Sequence, residues 1–250
     1  ARKAGIVITP RHVFQHQSVA ALAAAATPLT VPGSQEDIAA GTVIATPIIR
    51  WLFERGDSFK RFSQSTLLQV PPGMEEQHLA TALQALIDHH DALRLRLDPT
   101  SDASGWSLHI PPVGAVDARA CFLRIDVTGM DDIARHACIA KASREAIGRF
   151  DLEAGRLLQA VWFDAGIGEP GRFFLAIHHL VVDGVSWRIL VPDLEAAWQA
   201  AHTGTPAQLG PRSTSFRNWS QQLLTEASKP ARMAELPLWQ SIVDAPDALL

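Results

Sequence analysis

The stretch from Phe173 to Trp187 constrains this 250-residue chain more than any other. An apolar run, Phe173 to Ile177, delivers two adjacent histidines, His178 and His179. Leu180, Val181 and Val182 follow, then Asp183-Gly184 and an amphipathic segment opening Val185-Ser186-Trp187. The apolar run reads as a buried strand, Asp183-Gly184 as a turn, and the segment from Val185 as a helix. The histidines therefore sit where a strand gives way to a loop, a place from which α/β folds present reactive groups. Neighbouring strand residues face opposite ways, so one histidine can enter a cavity while the other is packed. An imidazole in a cavity can take or give a proton near neutral pH. Asp183 can hold the loop by pairing with a buried arginine, and Gly184 permits a close turn. On residue types alone, a structural role for the histidine pair is the commoner outcome. No metal is expected, because adjacent histidines do not easily share one ion and the chain has no H-E-x-x-H or paired C-x-x-C motif.

Composition narrows the classes. With 47% hydrophobic and 19% charged residues the chain can bury a sizeable core. The net charge of -4 and the absence of a lysine/arginine-rich block argue against nucleic acid as a partner. No apolar run reaches bilayer-spanning length, so no membrane role is expected, and no signal-peptide h-region opens the chain. The two cysteines, Cys121 and Cys138, read as small core residues rather than a disulfide, which fits a cytoplasmic location.

Along the chain, Thr9 and Ser18 can cap two short helices, with Pro10 at a first helical position. Residues 28–45 carry Pro32, Gly33 and Gly41 without periodicity and read as a linker. Thr46-Pro47 followed by apolar residues predicts a short buried helix, and Phe62 to Leu68 a strand. Met74 to His89 is an amphipathic helix with Leu79, Leu83, Leu86 and Ile87 on one face. Asp91 to Leu97 alternates apolar and charged residues, which predicts a strand. Trp106 to Ile110 and Cys121 to Val127 read as strands. Asp131 to Arg149 reads as a helix with Ile133, Ala137 and Ile147 inward. Leu157 to Phe163 and Arg172 to Ile177 form paired strands around a glycine-rich turn. The helix predicted from Val185 turns Ile189, Leu190, Leu194, Ala197 and Trp198 inward, and the tryptophans as a group are expected in the core.

As a string, His178-His179-Leu180-Val181-Val182-Asp183-Gly184 resembles the HHxxxDG motif of nonribosomal peptide synthetase condensation-type domains. The continuation Val185-Ser186-Trp187 is more similar to the epimerization branch. Pro47-Ile48-Ile49-Arg50-Trp51 resembles that branch's P-I-x-x-W opening, and Phe62-Ser63-Gln64-Ser65-Thr66-Leu67-Leu68 its F-N-Q-S-x-L-L strand, with Ser63 where asparagine is usual. Ile8 to Leu22 looks like the last part of a peptidyl carrier protein. Residues 1–27 are therefore expected to be a carrier remnant and 28–45 a linker. Residues 46–212 are expected to form the N-terminal half of an epimerization/condensation-type domain, and 213–250 the start of its second half.

The resemblance implies an α/β, chloramphenicol-acetyltransferase-like half-domain, a mixed sheet with flanking helices. The implied activity is inversion at Cα of an aminoacyl or peptidyl thioester. No cofactor is bound directly: the substrate arrives on the 4'-phosphopantetheine of a carrier protein, and the partners are that carrier and other synthetase modules. In this resemblance His179 is the acid/base and His178 its buried support. Arg94 pairs with Asp183, and Gly184, Ser186 and Trp187 shape the loop. The family's second acid/base, a glutamate, matches no residue here, so the chain alone is expected to have little activity. A peptide-bond-forming condensation domain and a non-catalytic carrier-docking module are the alternatives.

Overall fold

The computed structural model describes residues 5–28, 37–100, 105–212 and 214–245. Pro32, Gly33 and Ser213 lie outside them. Two compact units divide the chain, Ala1–Asp37 and Ile38–Leu250. In the first, β1 (Ile6–Val7) pairs antiparallel with a later strand and is followed by α1 (Pro10–Gln15) and α2 (Val19–Ala25); the partner strand is β2 (Thr27–Pro28). Both helices start on the expected caps. Thr9 Oγ1 accepts from the His12 amide at 3.2 Å and Ser18 Oγ from the Ala21 amide at 3.2 Å, offsetting amides that a helix start leaves bare.

The second unit begins with β3 (Gly41–Val43), inside the stretch expected to be linker. It is a true strand because its backbone pairs antiparallel with a later one, Val43 opposite Leu108. Then come α3 (Pro47–Glu54), a 3-10 turn (Gly56–Arg61), β4 (Ser63–Val70) and α4 (Glu76–His89). Asp91–Arg94 is a 3-10 turn rather than the start of a strand, and β5 is confined to Arg96–Pro99. The apolar/charged alternation misled because Arg94 is charged and yet only 1% exposed. β6 (Trp106–Ile110), β7 (Phe122–Asp126), α5 (Asp132–Ile147), β8 (Leu158–Asp164), β9 (Gly171–His178) and α6 (Trp187–Thr203) follow. The described part closes with α7 (Phe216–Ala227), α8 (Pro230–Met233) and α9 (Leu236–Val243).

The central sheet runs β4-β9-β8-β7, antiparallel except for the parallel β7–β8 pair, whose crossover carries α5. It is the expected mixed sheet with flanking helices. β8 and β9 are buried on both faces, which explains their unbroken apolar runs. On one face Trp162, Phe173, Leu175 and Ile177 meet α4 and α6 through Leu83, Leu86, Ile87 and Leu190. On the other, Val161, Phe163, Phe174 and Ala176 meet α5 through Ala142 and Ala146. The smaller sheet, β3-β6-β5, packs with α3 over a separate core that includes Val43, Ile49, Leu108 and Leu180. Gly171 opens β9 because a Cβ there would lie 2.7 Å from the Phe163 carbonyl oxygen.

Several inward assignments differ from the sequence expectation. Ile133 is 85% exposed and Ala137 is exposed too; α5 turns the Cys138, Ile139, Ala142, Ala146 row inward instead. Ala142 and Ala146 are the buried residues of that helix and face the sheet, and Ile133, at the helix start, lies off that row. Ile189 on α6 is also exposed. Trp162 is buried as expected, whereas Trp51, Trp219 and Trp239 are each at least half exposed. No described helix is long and apolar enough to cross a membrane. Asp91 Oδ2 accepts from the Phe216 amide and Ser220 Oγ from the Ile44 amide, so α7 is seated on the β3 side of this unit.

Candidate functional site

β9 ends in register with the start of β4, His178 opposite Ser63. Two backbone bonds carry the pairing past the strand end: the His178 amide donates to Leu157 O and the His179 amide to Phe62 O, each at 2.8 Å. The two imidazoles then diverge, as alternating strand residues must.

His178 is fully buried. Its Nδ1 accepts from the Leu180 amide at 3.1 Å, which leaves Nε2–H to donate to Phe59 O at 2.8 Å. The ring thereby joins the turn before β4 to the loop after β9, and only the neutral ring can make both bonds. Burial, opposed by the Phe59 carbonyl and assisted by His179, holds its pKa below the ordinary 6.5. The unfolded chain therefore binds a proton that the folded one refuses. The stability this group contributes is complete above about pH 6.5 and is lost as pH falls below that value. Urea unfolding midpoints measured from about pH 8 to 5 should fall with acidification, and less steeply in His178→Gln. His89, whose pKa burial also lowers, supplies a residual slope of the same sign.

His179 is half-buried and stacked on Phe62, ring centroids 4.6 Å apart. Its Nε2 lies 3.1 Å from Gln64 Nε2. Trp187 Nε1–H, a donor only, reaches Gln64 Oε1 at 2.7 Å and so fixes which end of the amide faces which way. Gln64 must then donate to His179, and the neutral ring keeps its lone pair on Nε2 and its proton on Nδ1. Side-chain nitrogen-15 shifts should report the Nδ1–H tautomer. Trp187→Phe and Gln64→Leu should each admit the Nε2–H form; an unchanged tautomer in both variants would refute this relay. Gln64 was not singled out from sequence as a site residue. Its signal was its place as the glutamine of the Phe62–Leu68 stretch, on the strand paired with the histidine strand.

Asp183 is exposed and does not meet Arg94. Its Oδ1 accepts from Ser186 Oγ at 2.7 Å and from the amides of Ser186 and Val185 at 2.8 and 3.0 Å. These bonds, Ser186 first, hold its carboxyl below the usual range. Asp183 and Ser186 thus close the turn that launches α6, a local pattern in which a short polar side chain satisfies nearby amides. Gly184 does not adopt a left-handed conformation, and a Cβ there would meet nothing within 4 Å. The turn is made by Asp183 and Ser186, so it does not require a glycine.

Arg94 is instead buried at the end of α4. It donates through Nη1 to the carbonyls of Ile87 and Asp88 at 2.7 and 2.8 Å, and through Nε to Pro111 O at 3.3 Å. The last carbonyls of a helix have no partner of their own, and the guanidinium fork satisfies them. That need, with Asp183 already satisfied inside its own loop, is why the expected Arg94–Asp183 pair does not form. Among the described residues His89, His90 and Asp193 gather ligand-type atoms within 4.8 Å of one another. The His90–Asp193 bond, at 2.8 Å, ties the end of α4 to α6.

One side of His179 faces a pocket of about 260 Å³ walled by Ile48 and Trp51 of α3, Phe62 and Leu180. The site can therefore offer a positioned, partly accessible imidazole at an apolar wall.

The chain is 37% identical over 246 residues to a linear gramicidin synthase component of Brevibacillus parabrevis, covering 98% of this chain and 5% of that protein. It is 32% identical over 248 residues to Chondramide synthase cmdD of Chondromyces crocatus, covering 97% and 6%. The chain thus spans a small fraction of the curated relatives it matches. Among solved structures it is similar to the epimerization domain from the third module of tyrocidine synthetase B. The TM-score is 0.75 and the identity 28%, over 86% of this chain and 48% of that one. The first condensation domain of the calcium-dependent antibiotic synthetase shares the fold, with TM-score 0.65, 18% identity, and 82% and 48% coverage. Residues 36–249 match the family model described as Condensation domain, and the chain belongs to the condensation-domain family of nonribosomal peptide synthetases.

Proposed function

We propose that the chain contributes the histidine side of an epimerization site, which inverts Cα of an aminoacyl or peptidyl thioester carried on the 4'-phosphopantetheine of a carrier protein. The observation that carries this reading is the His179–Gln64–Trp187 relay beside an apolar pocket, in a chain 28% identical to an epimerization domain. Trp187, from the Val-Ser-Trp continuation, is part of that relay.

A thioester carbonyl acidifies Cα–H because the carbanion delocalises as an enolate. His179 Nε2, the nitrogen with the lone pair, takes that proton after the substrate displaces the Gln64 N–H. Return of a proton to the opposite face completes the inversion and needs a second group, for which this chain supplies no assigned residue. His178 and Asp183 act as supports, one through Phe59 and Leu180, the other through Ser186. Residues 1–27, with two short capped helices, are read as the end of a carrier domain.

The test loads L-aminoacyl thioester onto the cognate carrier and incubates it in heavy water with the full-length protein that carries these residues. Deuterium at Cα with mixed L and D product supports epimerization. Amide formation with an acceptor aminoacyl carrier and no deuterium would move the site to condensation, the other activity for which an imidazole at this position is suited.

A further inference from the structure

We infer that the pocket between α3 and the histidine loop is the side-chain subsite of the substrate, and that it takes an apolar amino-acid side chain. The inference rests on the epimerization reading, in which His179 works on Cα, because the side chain is one bond from that atom. The wall nearest His179 must then meet it.

The wall chemistry is one-sided. Ile48, Trp51, Phe62 and Leu180 form it, backed by Ile49 and Leu52, and apart from His179 no described lining residue carries a titratable or charged side chain. An ionised side chain placed against these walls would lose water to apolar surface, whereas an aliphatic or aromatic one would cover Ile48, Trp51 and Phe62, now 66%, 50% and 48% exposed. The volume, about 260 Å³, lies below the roughly 300–1,000 Å³ of pockets that hold drug-sized ligands, so one side chain fits it better than a peptide. The walls are held in place. Phe62 is stacked on His179, and the Arg55 guanidinium lies 4.7 Å from the Trp51 ring centroid, a cation–π contact. Selection by such a wall is modest, about tens-fold for a well-fitted apolar group.

The experiment uses pantetheine thioesters of L-leucine, L-phenylalanine, L-aspartate and L-lysine with the full-length protein, reading deuterium entry at Cα. Leucine and phenylalanine should react at least about tenfold faster than aspartate and lysine. Ile48→Asp, at a position exposed enough to fold normally, should erode that preference and favour lysine. Equal rates across the series, or a ranking that Ile48→Asp leaves unchanged, would overturn the subsite. If no thioester exchanges deuterium, the epimerization reading fails by itself. The subsite is then judged by the binding of the non-reacting aminoacyl-pantetheine amides, followed by the His179 ring resonances. Apolar members binding more tightly in wild type but not in Ile48→Asp would sustain it, and a flat series would end it.

Discussion

Replacing His179 by alanine is expected to lower deuterium entry at Cα by about 10²–10⁴-fold, the usual worth of a positioned general acid/base. Stability should change by only about 1 kcal/mol, because the ring is half-buried and its main contacts are one stacked phenylalanine and one amide. The two effects are separable by running exchange and urea unfolding on the same preparations. A large loss of exchange with an unfolding midpoint shifted by no more than about 1 kcal/mol assigns His179 to the chemistry. Exchange that survives at more than about a tenth of the wild-type rate would remove it from that role. His178→Ala should behave the opposite way round in mechanism: it loses activity because the loop loses its link to Phe59, and its unfolding midpoint falls with it.

Arg94→Ala should cost about 3–4 kcal/mol of stability. It removes a large, fully buried side chain, takes the Arg94 donor from the carbonyls of Ile87 and Pro111, and leaves the Asp88 carbonyl only the longer bond from Arg212. Arg94→Lys should recover little of this, since a single ammonium cannot span three carbonyls as the guanidinium fork does. A double-mutant cycle with Asp183→Asn measures the pairing that the sequence motif implied. The coupling should stay within about 0.5 kcal/mol of zero, as for independent sites. A coupling above about 1 kcal/mol would bring the two side chains back into contact.

These two residues also mark where sequence reading works and where it stops. The hairpin of β8 and β9 was legible because strands buried on both faces leave long apolar runs, and α4 because four leucine and isoleucine positions recur at helical spacing. The caps at Thr9 and Ser18 were legible because capping is a contact over three residues. Arg94 was misread twice. Its charge made a 3-10 turn look like a strand with a wet face, and its partner was sought in a distant aspartate rather than in the helix end a few residues back. Asp183 carried a local signal, Asp-x-x-Ser, that predicts the observed turn without any distant partner. Gln64 stood in a motif-like strand but its role was not legible, because what makes it matter is a contact across 115 positions of sequence with His179. The α5 face was misjudged because its inward row depends on small residues, which hydrophobic periodicity weights weakly.

That long-range contact has a consequence for how the protein assembles. β8 and β9 are neighbours in sequence and can pair early, whereas β4 reaches β9 only after closing the long loop between Val70 and Gly171. Closure over such a distance costs chain entropy before any contact rewards it. The imidazole acquires its amide and its phenyl platform only at that late step. An intermediate holding the β8–β9 hairpin but not β4 would contain both histidines with neither of them set. The tautomer of His179 therefore reports completion of the fold as much as readiness of the site, and a ring resonance followed during refolding would time the last strand as it docks.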